Sequence, residues 1–318
     1  MDVRRRKWAG WMAAAGLAIA GLASTPALAQ TKIRLIALPF SESLGAVIAM
    51  KEGYFKEAGL EIEMTKMPGA AMMVPVLQSG RADIILSNTV TTLQAIEQGL
   101  DATLLAPSAV VRAKAPDSTT ALMVRKGTAR SLKDLVGKRI AINVINSTAW
   151  LYMVGMFDKH GIDRSQLRFV EIPFPQMNDP LLNGQIDAIG QVEPFKTVLL
   201  GTGKVEALGY SYVEVQPNAD ITQYIALTSW VKQNRDAAVK FARAVIRGSK
   251  LANSNEAATR QINVEFTRLN PMLKDKVQIP RFGTEVNGEE VRKTMELMLK
   301  FGLLKKPIDV SSRVMKLN

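Results

Sequence analysis

Short apolar runs alternate with amphipathic stretches from residue 32 onward. The apolar runs predict strands at residues 33–38, 60–64 and 83–86, and the amphipathic stretches predict helices at residues 44–52 and 70–79. Strands that alternate with helices are typical of βαβ units and a parallel sheet. The pattern therefore predicts an α/β protein. A proline inside the second predicted helix indicates that this helix begins late or bends.

An internal repeat relates segments that lie roughly a hundred residues apart. Residues 77–85 match residues 181–189, and residues 54–60 match residues 156–162 in the same order. Each segment has the pattern of a helix that ends at a glycine and is followed by a buried strand. Two matches in the same order predict two copies of one βαβ lobe. The alternative is that the matching segments are unrelated and share only this common pattern.

The length also predicts two lobes, because 318 residues exceed what one hydrophobic core usually serves. We expect lobe one to comprise residues 30–118 together with 225–318, and lobe two to comprise residues 119–224. The apolar segments 122–124 and 224–227 are the expected crossings, and the C-terminal helices are expected to pack on lobe one. Two lobes joined by two crossings form a hinge and a cleft.

The first 29 residues have the pattern of a secretory signal peptide. Basic residues at positions 4–7 precede an uncharged run, which ends in Ala27-Leu28-Ala29, the pattern of a signal peptidase site. We therefore expect cleavage near Ala29 and Gln30 and a periplasmic mature protein. A membrane anchor is the alternative, but the apolar segment 9–23 is shorter than the roughly 20 residues that span a bilayer. The basic residues leave both the general secretory and the twin-arginine export routes open.

Composition and charge exclude several classes of function. The chain has no cysteine and a single histidine, His160, which excludes disulfides, cysteine nucleophiles, zinc ribbons and histidine-based metal or triad sites. The net charge is +12, but the basic residues outside positions 4–7 are scattered and are not interleaved with aromatic residues. Nucleic acid is therefore not an expected partner. We expect no catalytic residue, no metal and no cofactor.

Several motifs, taken in order, resemble one family of exported binding proteins. They are Gly53–Leu60, Gly80–Ile84, Asp134–Ala141, and Asn183–Ala188 followed by Glu193-Pro194-Phe195. They resemble the periplasmic substrate-binding proteins of ABC importers of the nitrate, sulfonate and taurine class, in the NMT1/THI5-like and SsuA/TauA-like family. The resemblance covers nearly the whole mature chain. It implies a type II periplasmic-binding-protein fold, a ligand held between the lobes, and delivery to an ABC permease in the inner membrane.

In such folds the ligand lies where the carboxyl ends of strands meet the N-termini of helices, because unpaired N–H groups there attract acceptor atoms. The candidate ligand-binding residues are Phe40, Ser41, Glu42, Ser43, Asn88 and Thr89 from lobe one, and Asn146, Ser147, Thr148, Gln191, Glu193 and Phe195 from lobe two. Segments 69–71 and 174–177 are further candidate walls. Helix capping is the alternative role for the Ser, Thr and Asn residues.

Glu193 is the most informative candidate, because a carboxylate at the wall of a cleft repels a plain anion unless it is paired. A ligand amine, an internal Lys or Arg, or solvent must balance its charge, so a zwitterion or a nitrogen heterocycle would suit the site. The alternative is a glutamate in the first helical turn that points to solvent. Phe40, Phe174 and Phe195 could offer a flat ligand a stacking surface, or belong to the local core.

The residues and the resemblance together predict a periplasmic solute-binding protein that closes on a small organic anion or zwitterion of the aliphatic sulfonate, taurine or nitrate class. A pyrimidine-type or aromatic heterocycle, or an aromatic carboxylate, is the alternative ligand. A pyrimidine-precursor synthase is disfavoured, because that related family relies on histidine and a cysteine-rich motif and this chain has no cysteine. A partner of a membrane sensor is a third alternative. We expect a monomer without enzymatic activity.

Overall fold

The computed structural model describes residues 30–117 and 120–317. The predicted signal peptide, residues 1–29, and the predicted first residue of lobe two, Thr119, lie outside the described residues. Within the described ranges, no helix combines the length and the apolar character that crossing a membrane requires.

Short strands and helices alternate along most of the described chain, and this confirms the predicted α/β class. The strands are β1 (Thr31–Ala37), β2 (Leu60–Lys66), β3 (Ile84–Asn88), β4 (Ala102–Pro107), β5 (Ala109–Val110), β6 (Thr120–Arg125), β7 (Arg139–Ile142), β8 (Arg168–Glu171), β9 (Ala188–Val192), β10 (Val205–Gly209), β11 (Thr222–Leu227) and β12 (Arg281–Phe282). The helices are α1 (Leu44–Lys51), α2 (Tyr54–Glu57), α3 (Ala70–Gln78), α4 (Thr89–Glu97), α5 (Thr148–Lys159), α6 (Asn178–Leu182), α7 (Phe195–Gly201), α8 (Ser211–Val215), α9 (Thr228–Gln233), α10 (Arg235–Ser254), α11 (Glu256–Thr267) and α12 (Gly288–Lys300).

Two five-stranded sheets share one internal order. The first runs β2-β1-β3-β11-β4, where β1 is parallel to β2 and β3 and β11 is antiparallel to both neighbours. The second runs β10-β6-β9-β7-β8, where β7 is parallel to β8 and β9 and β6 is antiparallel to both neighbours. The alternation predicted a parallel sheet, but neither sheet is wholly parallel, because β11 in the first sheet and β6 in the second run antiparallel to both of their neighbours. Strand β11 joins the first sheet only after the chain has formed the whole second sheet.

The chain crosses between the sheets outside the predicted segments, so that prediction is wrong. Residues 122–124 lie within β6 and residues 224–227 within β11, and both strands are largely buried. The crossings instead follow β5 and α8, where the N–H of Val111 donates to the carbonyl of Ala219 at 2.9 Å. The apolar runs are in the sheets because burying their side chains there removes more apolar surface from water than a connection would.

The repeated motifs occupy the same place in both sheets. Asp83 accepts a hydrogen bond from the backbone N–H of Arg34 at 2.8 Å, and Asp187 accepts one from Arg139 at 2.8 Å. In return, the carbonyls of the two arginines accept the backbone N–H groups of Asp83 at 2.9 Å and Asp187 at 3.0 Å. Each aspartate therefore ties the strand after the repeated glycine to its parallel neighbour.

Helix α10 packs on the first sheet and against α1. Phe241 and Val245 of α10 are fully buried in the core that includes β1 and β3. Where the helices meet, a Cβ added at Gly248 would lie 2.1 Å from the carbonyl oxygen of Gly45, far inside van der Waals contact. The two helix backbones can approach this closely only because Gly248 has no side chain.

We expect Gly248→Ala to lower the free energy of unfolding by at least about 1–3 kcal/mol, because the added methyl group forces α1 and α10 apart. Thermal and urea unfolding monitored by circular dichroism would measure the loss. Gly201→Ala is the matched control: its Cβ would meet only the side chain of Leu273 at 3.7 Å, an ordinary contact. Equal stability of the two variants would contradict this account of the helix contact.

Candidate functional site

A cavity of about 100 Å³ lies between the two sheets. It is bordered by the carboxyl ends of β1, β2 and β3 on one side and of β7, β8 and β9 on the other, the usual place for ligands in open α/β sheets. The lining residues are Leu38, Phe40, Glu42, Pro68, Gly69, Ala70, Asn88, Asn143, Ser147, Thr148, Ala149, Phe174, Val192, Tyr212, Ile221 and Thr222. Both halves of the repeat therefore contribute to one cavity.

Direct contacts join the two walls beside the cavity. The hydroxyl of Thr148, at the start of α5, donates to Oδ1 of Asn88, at the end of β3, at 2.8 Å. The ring of Phe40 meets the rings of Phe174 and Phe195 edge to face, with centroids 6.4 and 6.0 Å apart. The three phenylalanines therefore pack on each other across the cleft, as the core alternative expected, while Phe40 and Phe174 also line the cavity.

The N-terminus of α5 points its first backbone groups toward the cavity. Ser147 caps this helix by accepting the N–H of Trp150 at 3.3 Å, so the predicted capping role is present. Thr148 and Ala149 line the cavity, and first-turn N–H groups have no acceptor within their own helix. This end of α5 can therefore donate to an acceptor atom of a ligand.

Helix α3 contributes a second N-terminus despite its internal proline. The helix runs from Ala70 to Gln78 through Pro75, so it does not begin late. Gly69 and Ala70 line the cavity, whereas Ala71 is outside the lining. Gly69 has no side chain that could cap the helix, and the backbone can approach a ligand closely there.

Glu42 places a carboxylate at the cavity wall. It lies in a 3-10 turn, Ser41–Ser43, that follows β1 and leads into α1. Its Oε2 atom is buried without a hydrogen-bond partner. Burial, together with the smaller effect of the negative charges of Glu193 and Asp117, raises the pKa of Glu42 from 4.5 to about 7. The cavity therefore presents an acceptor whose hydrogen-bonding capacity is unused.

Glu193 is buried and paired, so the solvent-pointing alternative for it is wrong. Its side chain is 3% exposed, and its Oε1 lies 3.3 Å from Nζ of Lys196, which is 2% exposed. Its Oε2 accepts the backbone N–H of Thr197 at 3.2 Å. Lys196 also donates to the carbonyl of Asp117 at 2.7 Å and to Oε1 of Gln278 at 3.1 Å. The charge of Glu193 is therefore balanced by an internal lysine, one of the expected arrangements.

The other predicted residues near α1 and α4 lie outside the cavity lining. The hydroxyl of Ser41 donates to Oδ1 of Asn263 at 2.9 Å, and that of Ser43 donates to the carbonyl of Leu38 at 2.7 Å. The hydroxyl of Thr89 donates to a backbone carbonyl of the second crossing at 2.6 Å. These three hydroxyls therefore hold neighbouring segments of the cavity wall together and do not line the cavity themselves.

The remaining predicted residues of the second half are also outside the cavity lining, and Asn146 among them is exposed to solvent. Gln191 is buried, and its Nε2 donates to the carbonyl of Phe174 at 3.1 Å. Asn146 adopts a left-handed conformation, with φ of 61°, in the turn before α5. Phe195 begins α7 and contacts the cavity only through the ring of Phe40. A ligand-binding role for these residues stays a prediction.

Several lining residues are absent from the sequence prediction. Asn143 directly follows β7, as Leu38 follows β1, so the internal repeat was a signal that could have identified both. Tyr212 comes from α8, Ile221 from the second crossing and Thr222 from the start of β11. The pattern of apolar and polar residues does not identify these three as lining residues, because their place at the cavity depends on where the chain returns to the first sheet.

One protein family matches more than half of this chain. The family model described as NMT1/THI5 like matches residues 41–258. The chain belongs to the NMT1/THI5-like family. The match includes the turn at Glu42, α5 with its cap, and the buried pair of Glu193 and Lys196. The predicted resemblance is thus confirmed.

Solved structures of periplasmic binding proteins match most of the chain. The periplasmic aliphatic sulphonate-binding protein SsuA of Escherichia coli has a TM-score of 0.75 and 16% identity, over 89% of this chain and 97% of SsuA. The periplasmic nitrate-binding protein NrtA of Synechocystis PCC 6803 has a TM-score of 0.71 and 14% identity, over 89% of this chain and 84% of NrtA. The YtlA protein of Bacillus subtilis (strain 168) is 23% identical over 231 residues, which are 70% of this chain and 67% of YtlA. These likenesses confirm the periplasmic-binding-protein fold.

We expect the stability of the ligand-free protein to show the titration of Glu42. Below pH 4.5 the carboxyl is protonated in both folded and unfolded states; between pH 4.5 and about 7 only the unfolded state ionises, so stability falls as pH rises. Glu42→Gln cannot titrate, so its stability relative to wild type should increase across this range, by of order 1–3 kcal/mol, and level off above pH 7.

Urea unfolding of wild type and Glu42→Gln between pH 4.5 and 8 would measure this difference. Asp220, whose pKa burial also raises to about 7, is present in both proteins and cancels in the comparison. Glu61→Gln, at an exposed position on β2, is the matched control for the chemical change from glutamate to glutamine. A stability difference that is flat with pH would show that Glu42 is not a buried acid.

We expect Lys196→Met to lower the free energy of unfolding by about 3–5 kcal/mol, because it leaves the Glu193 carboxylate buried without its cation. Adding Glu193→Gln to the same chain should restore much of the loss, since the uncompensated charge is removed. Lys240→Met is the control, because Lys240 and Asp236 form an exposed pair. Chemical unfolding of the four proteins would decide, and similar losses for both lysine variants would refute a buried pair.

Proposed function

We propose that the protein is the periplasmic solute-binding component of an ABC importer. It captures a small polar molecule between its two lobes and delivers it to a permease in the inner membrane. Each lobe is built around one of the two five-stranded sheets. In this proposal the protein is exported, its signal peptide is cleaved near Ala29, and it acts as a monomer without turnover.

The observation that carries the proposal is a cavity shared by both sheets and bordered by the N-termini of α3 and α5. Because residues of both lobes line the cavity, the cavity is complete only when the two lobes lie together. The contact between Thr148 and Asn88, at 2.8 Å, joins the same two walls. Family membership and the fold support a transport role, because the neighbours SsuA and NrtA are named as periplasmic binding proteins for aliphatic sulphonates and for nitrate.

The mechanism follows from differential affinity. A ligand that contacts both walls binds the closed form more tightly than the open form, and it shifts the equilibrium by that difference in binding free energy. The paired crossings at Val111 and Ala219 are the natural hinge, because there the chain passes between the sheets. The permease then distinguishes the loaded protein by its closed shape.

The proposed ligand class is a small organic anion or zwitterion, including aliphatic sulfonates, taurine and nitrate. The α5 N-terminus supports an acceptor group at one end of the ligand, because helix N-termini attract negative charge. A pyrimidine-type heterocycle is the second candidate. It is favoured by the carboxylate of Glu42 at the cavity wall and by the aromatic rings of Phe40 and Phe174.

We expect at least one compound of a panel of sulfonates, taurine, nitrate, aromatic carboxylates and aminopyrimidines to bind. Protein refolded from denaturant, and so freed of any carried-over ligand, would be tested by thermal shift and isothermal titration. Binding to the native state alone raises the melting temperature. Absence of binding by every compound would contradict the proposal, and catalytic conversion of a panel compound would favour the enzymatic alternative.

A substitution at the contact between the two walls tests whether the ligand is captured there. Thr148→Val keeps the shape of the side chain but removes the hydroxyl that donates to Asn88, so binding of the identified ligand should weaken roughly two- to tenfold. Thr128→Val is the control, because the Thr128 hydroxyl is exposed and donates to the nearby carbonyl of Arg125. Equal affinities for the two variants would argue against ligand capture at this contact.

A further inference from the structure

The cavity lining contains one charged side chain, and it is acidic. Among the described residues that line the cavity, Glu42 has a carboxylate, and none is Lys, Arg or His. The other polar groups of the lining are the amides of Asn88 and Asn143 and the hydroxyls of Ser147, Thr148, Tyr212 and Thr222. A ligand with only negative charge would therefore meet a carboxylate and no cationic side chain.

The carboxylates of Glu42 and Glu193 differ in whether a cation balances their charge. Oε1 of Glu193 is also buried without a hydrogen bond, but it lies 3.3 Å from Nζ of Lys196, so a cation balances its charge. Glu42 has no such partner, and its Oε2 is buried without a hydrogen bond. A buried carboxylate oxygen without a donor is costly, and a donor from outside would relieve that cost. Because Glu42 borders the cavity and Glu193 does not, the missing donor fits a ligand atom.

We propose that Glu42 accepts a hydrogen bond from a nitrogen of the ligand, so that the transported compound is an amine-bearing zwitterion or an amino-substituted heterocycle and not a simple anion. This inference rests on the proposed function. The N–H group of the ligand lies at Glu42, and its acceptor end lies at the N-terminus of α5 beside Thr148 and Ala149. Bare nitrate and alkanesulfonates without an amine are excluded by the same arrangement.

Other features of the cavity agree with this assignment. The pKa of Glu42 is raised to about 7, chiefly by burial, so an approaching cation stabilises the charged form that burial disfavours. Burial and the nearby negative charges raise the pKa of Tyr212, so its hydroxyl stays neutral and supplies no positive charge to Glu42. Lys196 is engaged with Glu193, the Asp117 carbonyl and Gln278, outside the lining.

Matched pairs of compounds test the assignment on the wild-type protein. Each pair has one member with an N–H donor and one of nearly equal shape with a methyl group in its place: taurine and propane-1-sulfonate, β-alanine and butyrate, 4-amino-2-methylpyrimidine and 2,4-dimethylpyrimidine. We expect the amine-bearing member of at least one pair to bind more than about tenfold tighter than its partner, because a site built to hydrogen-bond a group rejects the analogue without it. Isothermal titration of refolded protein would measure both affinities.

Glu42→Gln tests which residue is responsible. We expect the variant to lose most of the preference within the pair, while Glu61→Gln, at an exposed position on β2, keeps it. If a nitrogen-free anion or nitrate is the tightest binder of the full panel, the inference fails and the proposed transport function stands. If the preference for the amine survives in folded Glu42→Gln, the assignment to Glu42 fails. If no compound of the panel binds, the proposed function fails and this inference fails with it.

Discussion

The cleft depends on one constraint of connectivity: each sheet contains one antiparallel strand, and the chain enters that strand directly from a crossing between the sheets. Strand β6 enters the second sheet directly after the chain leaves the first, and β11 returns to lie between β3 and β4. Each inserted strand is antiparallel to both neighbours, so its start lies at the edge where the parallel strands end. Ile221 and Thr222 reach the cavity for this reason, and the crossings are held beside each other where Val111 bonds to Ala219.

Much of the scaffold follows from local sequence because its determinants are local. The glycine and aspartate of each repeated motif predict a helix end and a buried strand, and the structure adds that Asp83 and Asp187 each bond to an arginine on the neighbouring strand. The crossings could not be placed in this way. An apolar run such as residues 224–227 has the same composition whether it lies within a sheet or between lobes, and only its long-range pairing with β3 and β4 distinguishes the two.

The site was predictable to the extent that the fold brings strand ends together. The sequence predicts that residues in the turns after β1, β3 and β7 lie near one place, and Glu42, Asn88 and Thr148 line one cavity; their ligand-binding role stays a prediction. The sequence could not show which carboxylate is paired. Lys196 is three residues from Glu193, a spacing equally common in exposed helical pairs, and its burial at 2% exposure depends on Asp117 and Gln278 from distant parts of the chain.

The two halves share one scaffold but differ in the chemistry of their strand-to-helix turns. The turn after β7 leads directly into the twelve-residue helix α5, whose capped N-terminus offers backbone donors to the cavity. The turn after β1 first forms the 3-10 turn that contains Glu42, so the first wall offers a carboxylate beside the backbone donors of α3. Both walls therefore offer donors, but only the first offers a carboxylate. Such a cleft favours a ligand with two different ends, a donor for Glu42 and an acceptor for the helix N-termini, and this ligand gains its full affinity only when both walls close on it.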